Sequence, residues 1–171
     1  MTTPRRMVRR GRFAPRGSAR RKLVWTNQST LQSIAAGGST QSIVSSSYET
    51  QYGMSLQGTI VRTILRIIIA PTGSFTVDYG PVFYAVGLLG RSEILLDVVT
   101  TDRPYRDWFI YDVAWGKFSS GLSVPPTDRL YDIRAKRKID ELEKVPVLAI
   151  TNNGGASVDV RHQIRMLIAL P

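Results

Sequence analysis

From Ser157 to Leu170 the chain alternates without a break. Val158, Val160, His162, Ile164, Met166, Ile168 and Leu170 point one way, and Asp159, Arg161, Gln163 and Arg165 the other. A two-residue period of this kind belongs to a strand with one buried face and does not fit a helix, whose apolar positions recur every three or four residues. Thr59–Ala70 reads the same way, with Val61, Leu65, Ile67 and Ile69 on one face and Arg62 and Arg66 on the other.

The rest of the body repeats this short-strand pattern. Leu23–Leu31 is mixed polar and β-prone, and the small polar stretch 35–47 has room for a second strand near Ser39–Val44. Phe75–Tyr79 and Val82–Leu89 read as strands around Gly80-Pro81. Asp107–Phe118 is strand-like through its aromatics Trp108, Phe109, Tyr111, Trp115 and Phe118. In Arg129–Ile139, Tyr131, Ile133 and Ala135 alternate with Asp132, Arg134, Lys136 and Lys138. Val145–Thr151 runs into Asn152-Asn153-Gly154-Gly155, which signals a hairpin to the last strand. Two short helices are expected in loops. One spans Tyr48–Tyr52, opened by the capping-box pattern Ser46-Ser47-Tyr48-Glu49 and stopped by Gly53; the other runs from a Ser92 cap to Val99. The total is about eight strands joined by Gly/Pro/Ser loops, with no internal repeat. Long helices do not alternate with these strands, so a parallel sheet is disfavoured and an antiparallel β-sandwich or barrel is expected.

Ahead of this body stands MTTPRRMVRRGRFAPRGSARRK. It contains Arg5, Arg6, Arg9, Arg10, Arg12, Arg16, Arg20, Arg21 and Lys22, and the first acid of the chain is Glu49. The whole chain has 23 basic and 13 acidic residues; without these nine, the body holds 14 against 13 and is nearly neutral. Residues 1–22 are therefore read as a disordered arm, too poor in apolar surface to offset the entropy of ordering, and residues 23–171 as one domain large enough for a core. Arginines in such a block bind polyphosphate through counterion release, without sequence preference, and the arm offers no helix to read base edges. The other readings of the block are a mitochondrial transit peptide, a nuclear localisation signal and a polybasic membrane anchor. The Pro and Gly residues spoil the amphipathic helix of the first, and no lipidation motif accompanies the last.

Few residues are available for catalysis. There is no cysteine and one histidine, so thiolate chemistry, disulfides and most metal sites are excluded, and no cofactor or metal is expected. The longest apolar run, Ile67-Ile68-Ile69-Ala70, is too short to cross a bilayer as a helix, and no apolar signal segment appears; a soluble, cytosolically made protein is expected. Asp102 and Asp107 flank Arg103 and Arg106 as in a surface ion-pair network. Asp140, Glu141 and Glu143 sit in a charged turn that lacks further oxygen ligands. His162 is expected in the core, bonded to backbone. Gly37-Gly38-Ser39-Thr40 lacks the Lys of a P-loop. Tyr84, Trp108, Phe109, Tyr111 and Trp115 have the chemistry to stack bases, though their strand spacing favours core positions. A second basic set, Arg62, Arg66, Arg134, Lys136, Lys138, Arg161 and Arg165, lies on polar strand faces. If those strands share a sheet, the arm's positive field continues onto the body.

An Arg-rich arm before a neutral, cysteine-free body of about eight strands resembles the small single-jelly-roll coat proteins of icosahedral viruses. The compact coat proteins of plant, satellite and circular single-stranded DNA viruses are of this kind. RRKLVW at 20–25 and DIRAKRKIDEL at 132–142 contribute to the likeness, which otherwise rests on architecture and charge layout. The resemblance implies an eight-stranded jelly roll of two four-stranded sheets and no enzymatic activity. It implies a homo-oligomeric shell of about 60 copies or a multiple, closed by symmetry. The arm would lie on viral genomic nucleic acid, with Arg62, Arg134, Lys136 and Arg165 lining the inner wall. Tyr105, Leu122, Val124, Pro125 and Pro126 would be buried between subunits. The protein would reside in the virion after synthesis in the host cytoplasm, with passage through the nucleus open, and it would need no membrane. The main alternative is a cellular nucleic-acid-binding β-barrel with a basic extension, of ribosomal or RNA-chaperone type. A cupin-type jelly-roll enzyme would need clustered histidine ligands that this chain lacks.

Overall fold

The computed structural model describes residues 22–44, 57–72, 79–90, 107–116, 127–139 and 144–170. They form nine strands: β1 (Leu23–Ile34), β2 (Ser39–Ile43), β3 (Gly58–Pro71), β4 (Tyr79–Gly90), β5 (Asp107–Gly116), β6 (Thr127–Ile133), β7 (Arg137–Ile139), β8 (Lys144–Asn152) and β9 (Val158–Ala169). Every pairing is antiparallel. The first sheet runs β1-β9-β3-β6, and β7 also pairs with β3; the second runs β2-β8-β4-β5. Because β6 and β7 lie end to end along β3, they fill one strand position, and the sandwich has four positions in each sheet. The chain crosses between the sheets at every connection except β4–β5 and β6–β7, with β1, β3, β6, β7 and β9 in one and β2, β4, β5 and β8 in the other. That interleaved order is the jelly roll, two Greek keys wound into one sandwich.

Alternation in sequence becomes burial in space. Val158, Val160, Ile164, Met166 and Ile168 of β9 meet Ile60, Leu65, Ile67 and Ile69 of β3, and from the second sheet Val82, Tyr84, Val86, Leu148 and Ile150 close the core. One phase of β3 differs from expectation. The register slips between Ile60 and Arg62, so Val61 is a bulged residue and Ile60 takes the buried place. A bulge adds one residue to a strand and inverts the facing of what precedes it, which simple alternation cannot register.

Two further expectations are corrected. Gly80-Pro81 lies within a strand, since β4 passes through it with a register slip between Tyr79 and Val82, while residues 75–78 of the expected Phe75–Tyr79 strand lie outside the described residues. Gly80 has φ +103°, a conformation open to glycine. Nor does Asn152–Gly155 form a hairpin, because β8 lies between β2 and β4 while β9 lies between β1 and β3 in the other sheet. It is a corner between sheets, beside the equivalent corner from β1 to β2. Asn152 joins them. Its side chain is fully buried, and Nδ2 donates to the carbonyls of Ile34 (3.1 Å), Ala35 (3.1 Å) and Ala156 (2.9 Å) while Oδ1 accepts from the Gly154 N–H (2.9 Å). A Cβ on Gly154 would meet Gly80 N at 2.5 Å, so the corner also requires glycine for close approach. The expected helices at Tyr48–Tyr52 and Ser92–Val99 lie outside the described residues.

His162 is in the core, at 1% exposure, but neither ring nitrogen has a hydrogen-bond partner among the described residues, contrary to the expected backbone bond. Burial pushes its pKa below the usual histidine value.

Candidate nucleic-acid interface

The strands bearing the second basic set do share a sheet: β3, β6, β7 and β9 all belong to the first. Register places Arg165 between Asn27 and Ile64, Gln163 between Ser29 and Arg66, and Arg161 between Leu31 and Ile68, all facing away from the core. Arg134 and Lys136 are exposed in the break between β6 and β7, and Lys138 is exposed on β7 opposite Thr59. On this outward surface Arg62, Arg66, Arg134, Lys136, Lys138, Arg161 and Arg165 face three acids, Asp128, Asp132 and Asp159.

Two of the cations are already paired. Arg62 grips Asp132 through Nε and Nη2 at 2.8 and 2.5 Å, and Arg66 grips Asp128 at 3.3 and 2.8 Å. Hydrogen bonding and charge in these forks hold both carboxyls below the usual carboxylate range and both guanidiniums above theirs. Arg161, Arg165, Arg134, Lys136 and Lys138 form no ion pair with a described carboxylate, and Asp159 accepts a hydrogen bond from Ser33. The structure separates two arginines held in carboxylate forks from five cations that are in none, of which Arg134 still feels Asp132 and Arg165 lies over Trp25.

The N-terminal arm joins the body at this surface. The Leu170 N–H donates to the Lys22 carbonyl at 2.9 Å, and Leu23 pairs with Ala169, which pairs in turn with Thr59. Thr59 faces Lys138. Lys22, the last residue of the arm, therefore stands at the end of the sheet where Lys138, Lys136, Arg134, Arg62 and Arg165 gather. Residues 1–21, including Arg5 to Arg21, lie outside the described residues, as do Asp140, Glu141 and Glu143 and the proposed subunit-contact residues Tyr105, Leu122, Val124, Pro125 and Pro126.

The aromatic candidates divide. Tyr84 is buried, and Trp108, Phe109 and Tyr111 are partly buried against apolar clusters. Trp115 is exposed, but on β5 of the second sheet. The exposed aromatic on the basic surface is one the sequence reading passed over: Trp25, at 41% exposure, with the Arg165 guanidinium 4.8 Å from its ring centroid. Its odd-numbered place in β1, beside the arm, was the available signal. A shallow groove of about 280 Å³ opens further along the same strands, lined by Ser29, Arg66, Ile68, Arg161, His162 and Gln163.

The outer side of the second sheet differs. Its rows (Ser39, Thr151, Phe83 and Val113; Gln41, Ala149, Ala85 and Tyr111; Ile43, Val147 and Trp108) carry no charge among the described side chains, and Thr151, Ala149, Ala85 and Val147 in them are buried, with Phe83, Trp108 and Tyr111 packed against that apolar cluster. At the β5–β6 border the sheets are linked by a polar cluster. Tyr131 donates to Asp112, Tyr84 Oη lies 2.6 Å from Tyr131 Oη, and Arg129 adds its charge. Burial favours a neutral Asp112, but the Tyr131 and Val113 N–H bonds outweigh it and keep the carboxyl below its ordinary value. Burial, then the bond to Asp112, pushes the Tyr131 hydroxyl far up. No group of three or more metal-binding side chains occurs among the described residues.

No protein-family model matches the chain, and no curated protein does. Its fold is similar to solved structures of viruses and of a viral capsid protein. Desmodium yellow mottle tymovirus aligns over 100% of this chain and 98% of its own at 12% identity and TM-score 0.36. The decameric BFDV capsid protein aligns over 87% and 98% at 8% identity and TM-score 0.39. Turnip yellow mosaic virus aligns over 88% and 96% at 13% identity and TM-score 0.38. The strand order of this chain, and not these likenesses, defines it as a jelly roll.

Proposed function

We propose that this chain is a viral coat protein that assembles with copies of itself into a closed icosahedral shell and packages the genome through residues 1–22. The observation that carries the reading is continuity of charge. The basic run Arg5, Arg6, Arg9, Arg10, Arg12, Arg16, Arg20, Arg21 and Lys22 leads into β1 of the sheet that carries Lys138 and Arg165 on its outward face, with Lys22 bonded to Leu170. On this reading tail and sheet face phosphate together, and many weak contacts multiplied over copies suffice without a pocket.

Self-association is supported by the placement of apolar surface. Apart from Trp25 on the basic face, the exposed large hydrophobics among the described residues, Leu23, Leu31, Ile43, Val113, Trp115 and Leu130, sit on the edge strands β1, β2, β5 and β6. Edge strands that carry exposed apolar side chains invite another chain. On this reading the protein resides in the virion after synthesis in the host cytoplasm.

Negative-stain microscopy of the purified full-length protein, with the ultraviolet absorbance ratio of the same fraction, tests it. Uniform closed shells with a nucleic-acid-like ratio are expected. A homogeneous monomer or dimer that binds added polynucleotide and never closes would sink the coat-protein reading and favour a cellular nucleic-acid-binding protein.

A further inference from the structure

We infer that Trp25, held by Arg165, is a stacking platform for an unpaired base, so the outward face of the first sheet takes single-stranded nucleic acid in preference to duplex. The inference rests on the nucleic-acid reading above and narrows its ligand. A base presents a flat π-face only when it is out of a helix, and an exposed indole is its best protein partner. Trp25 is such an indole, 41% exposed on the sheet's edge strand. The Arg165 guanidinium lies over one face of the ring, 4.8 Å from its centroid, which fixes the indole and leaves the opposite face as the one a base would take.

The surroundings continue the path. Arg165, Gln163 and Arg161 repeat every second residue along β9, a spacing of about 7 Å on one strand face. That matches the scale of the phosphate repeat in an extended single strand. The path runs from the arm's root, past Trp25, into the groove lined by Ser29, Gln163, Arg66 and Arg161. A duplex offers phosphates to the same cations but no free base to the indole, and that difference separates stacking from charge attraction.

The test uses full-length protein and its Trp25→Leu and Arg165→Lys variants, each checked for retained strand content by circular dichroism. Binding of short oligothymidylate, a duplex of equal length and inorganic polyphosphate is measured together with tryptophan fluorescence. Oligothymidylate is expected to quench wild-type emission. Trp25→Leu should remove most of that quenching and weaken oligothymidylate binding on the order of tenfold, with duplex and polyphosphate affinities unchanged. Arg165→Lys, which keeps the charge, should reduce the quenching while altering polyphosphate binding little. Undiminished quenching and affinity in Trp25→Leu would overturn the platform while leaving charge-based binding intact. So would a Trp25→Leu variant whose only change is a lower oligomeric state, which would assign the indole to a contact between copies. If the wild-type chain binds none of the three polyanions, the nucleic-acid reading itself fails.

Discussion

At the scale of single residues, the cost of burying a polar group decides what acid does to the fold. His162 is enclosed between β1 and β3 with both nitrogens unpartnered among the described residues, so the folded chain resists protonation there. The unfolded chain takes up that proton near the ordinary value of 6.5, the folded chain only at lower pH. Stability is therefore complete above that value and declines as pH falls through it, well before the lowered carboxyls of Asp112, Asp128 and Asp132 begin to protonate. His162→Leu should flatten the stability profile as pH falls below about 6.5. Denaturant midpoints across that range check it, and an unchanged slope would place the acid sensitivity elsewhere. The core position of His162 was legible from its phase in the alternating run. Its lack of partners was not, because the groups around a buried ring come from strands distant in sequence.

Between strands, register decides which charges remain available. β6 carries Asp128 and Asp132 across to Arg66 and Arg62 of β3, residues separated by 62 and 70 positions in the chain. These exposed forks contribute little to stability. They matter to binding by cancelling two positive charges on the basic face. The double substitution Asp128→Asn with Asp132→Asn should strengthen polyphosphate binding several-fold with little change in thermal unfolding. Calorimetry against polyphosphate reads this directly, and unchanged affinity would show that the freed arginines lie off the binding path. At this scale the strands themselves were readable, since period-two alternation marks them one at a time. The Asn152–Gly155 corner was misread because turn chemistry is local, and the same Asn-Gly signal serves a hairpin or a passage to the opposite sheet. Val61 was misplaced for the same reason: its bulge depends on the neighbour, Leu167 pairing with Arg62 and Ile168 with Ile60.

At the scale of the whole molecule, the described charge falls unevenly on the two sheets. The first turns a cationic face outward and begins at the basic N-terminal run, and the outer side of the second is uncharged among its described side chains and largely buried. The concentration of basic residues in 1–22 was plain from the sequence, whereas the alignment of the basic strand faces required knowing that β3, β6, β7 and β9 share a sheet. Deleting residues 1–22 should leave β1 and the two sheets folded, because the strand ladder begins at Leu23. The same deletion should reduce the salt dependence of nucleic-acid binding by up to roughly 0.7–0.9 log units per cation removed. Filter binding over a salt series measures the slope, and an unaltered slope would show that the arm does not touch phosphate. The attachment of the arm also has a mechanical consequence. Among the described residues β1 is held laterally by β9 alone, through twelve antiparallel residue pairs from Leu23–Ala169 to Ile34–Val158. A pull on the arm directed along the strand loads all of those pairs at once, in shear. A pull directed away from the sheet opens them one by one from the Leu23 end. The body is therefore a stiff anchor for tension lying in the plane of its basic sheet and a zipper for tension normal to it.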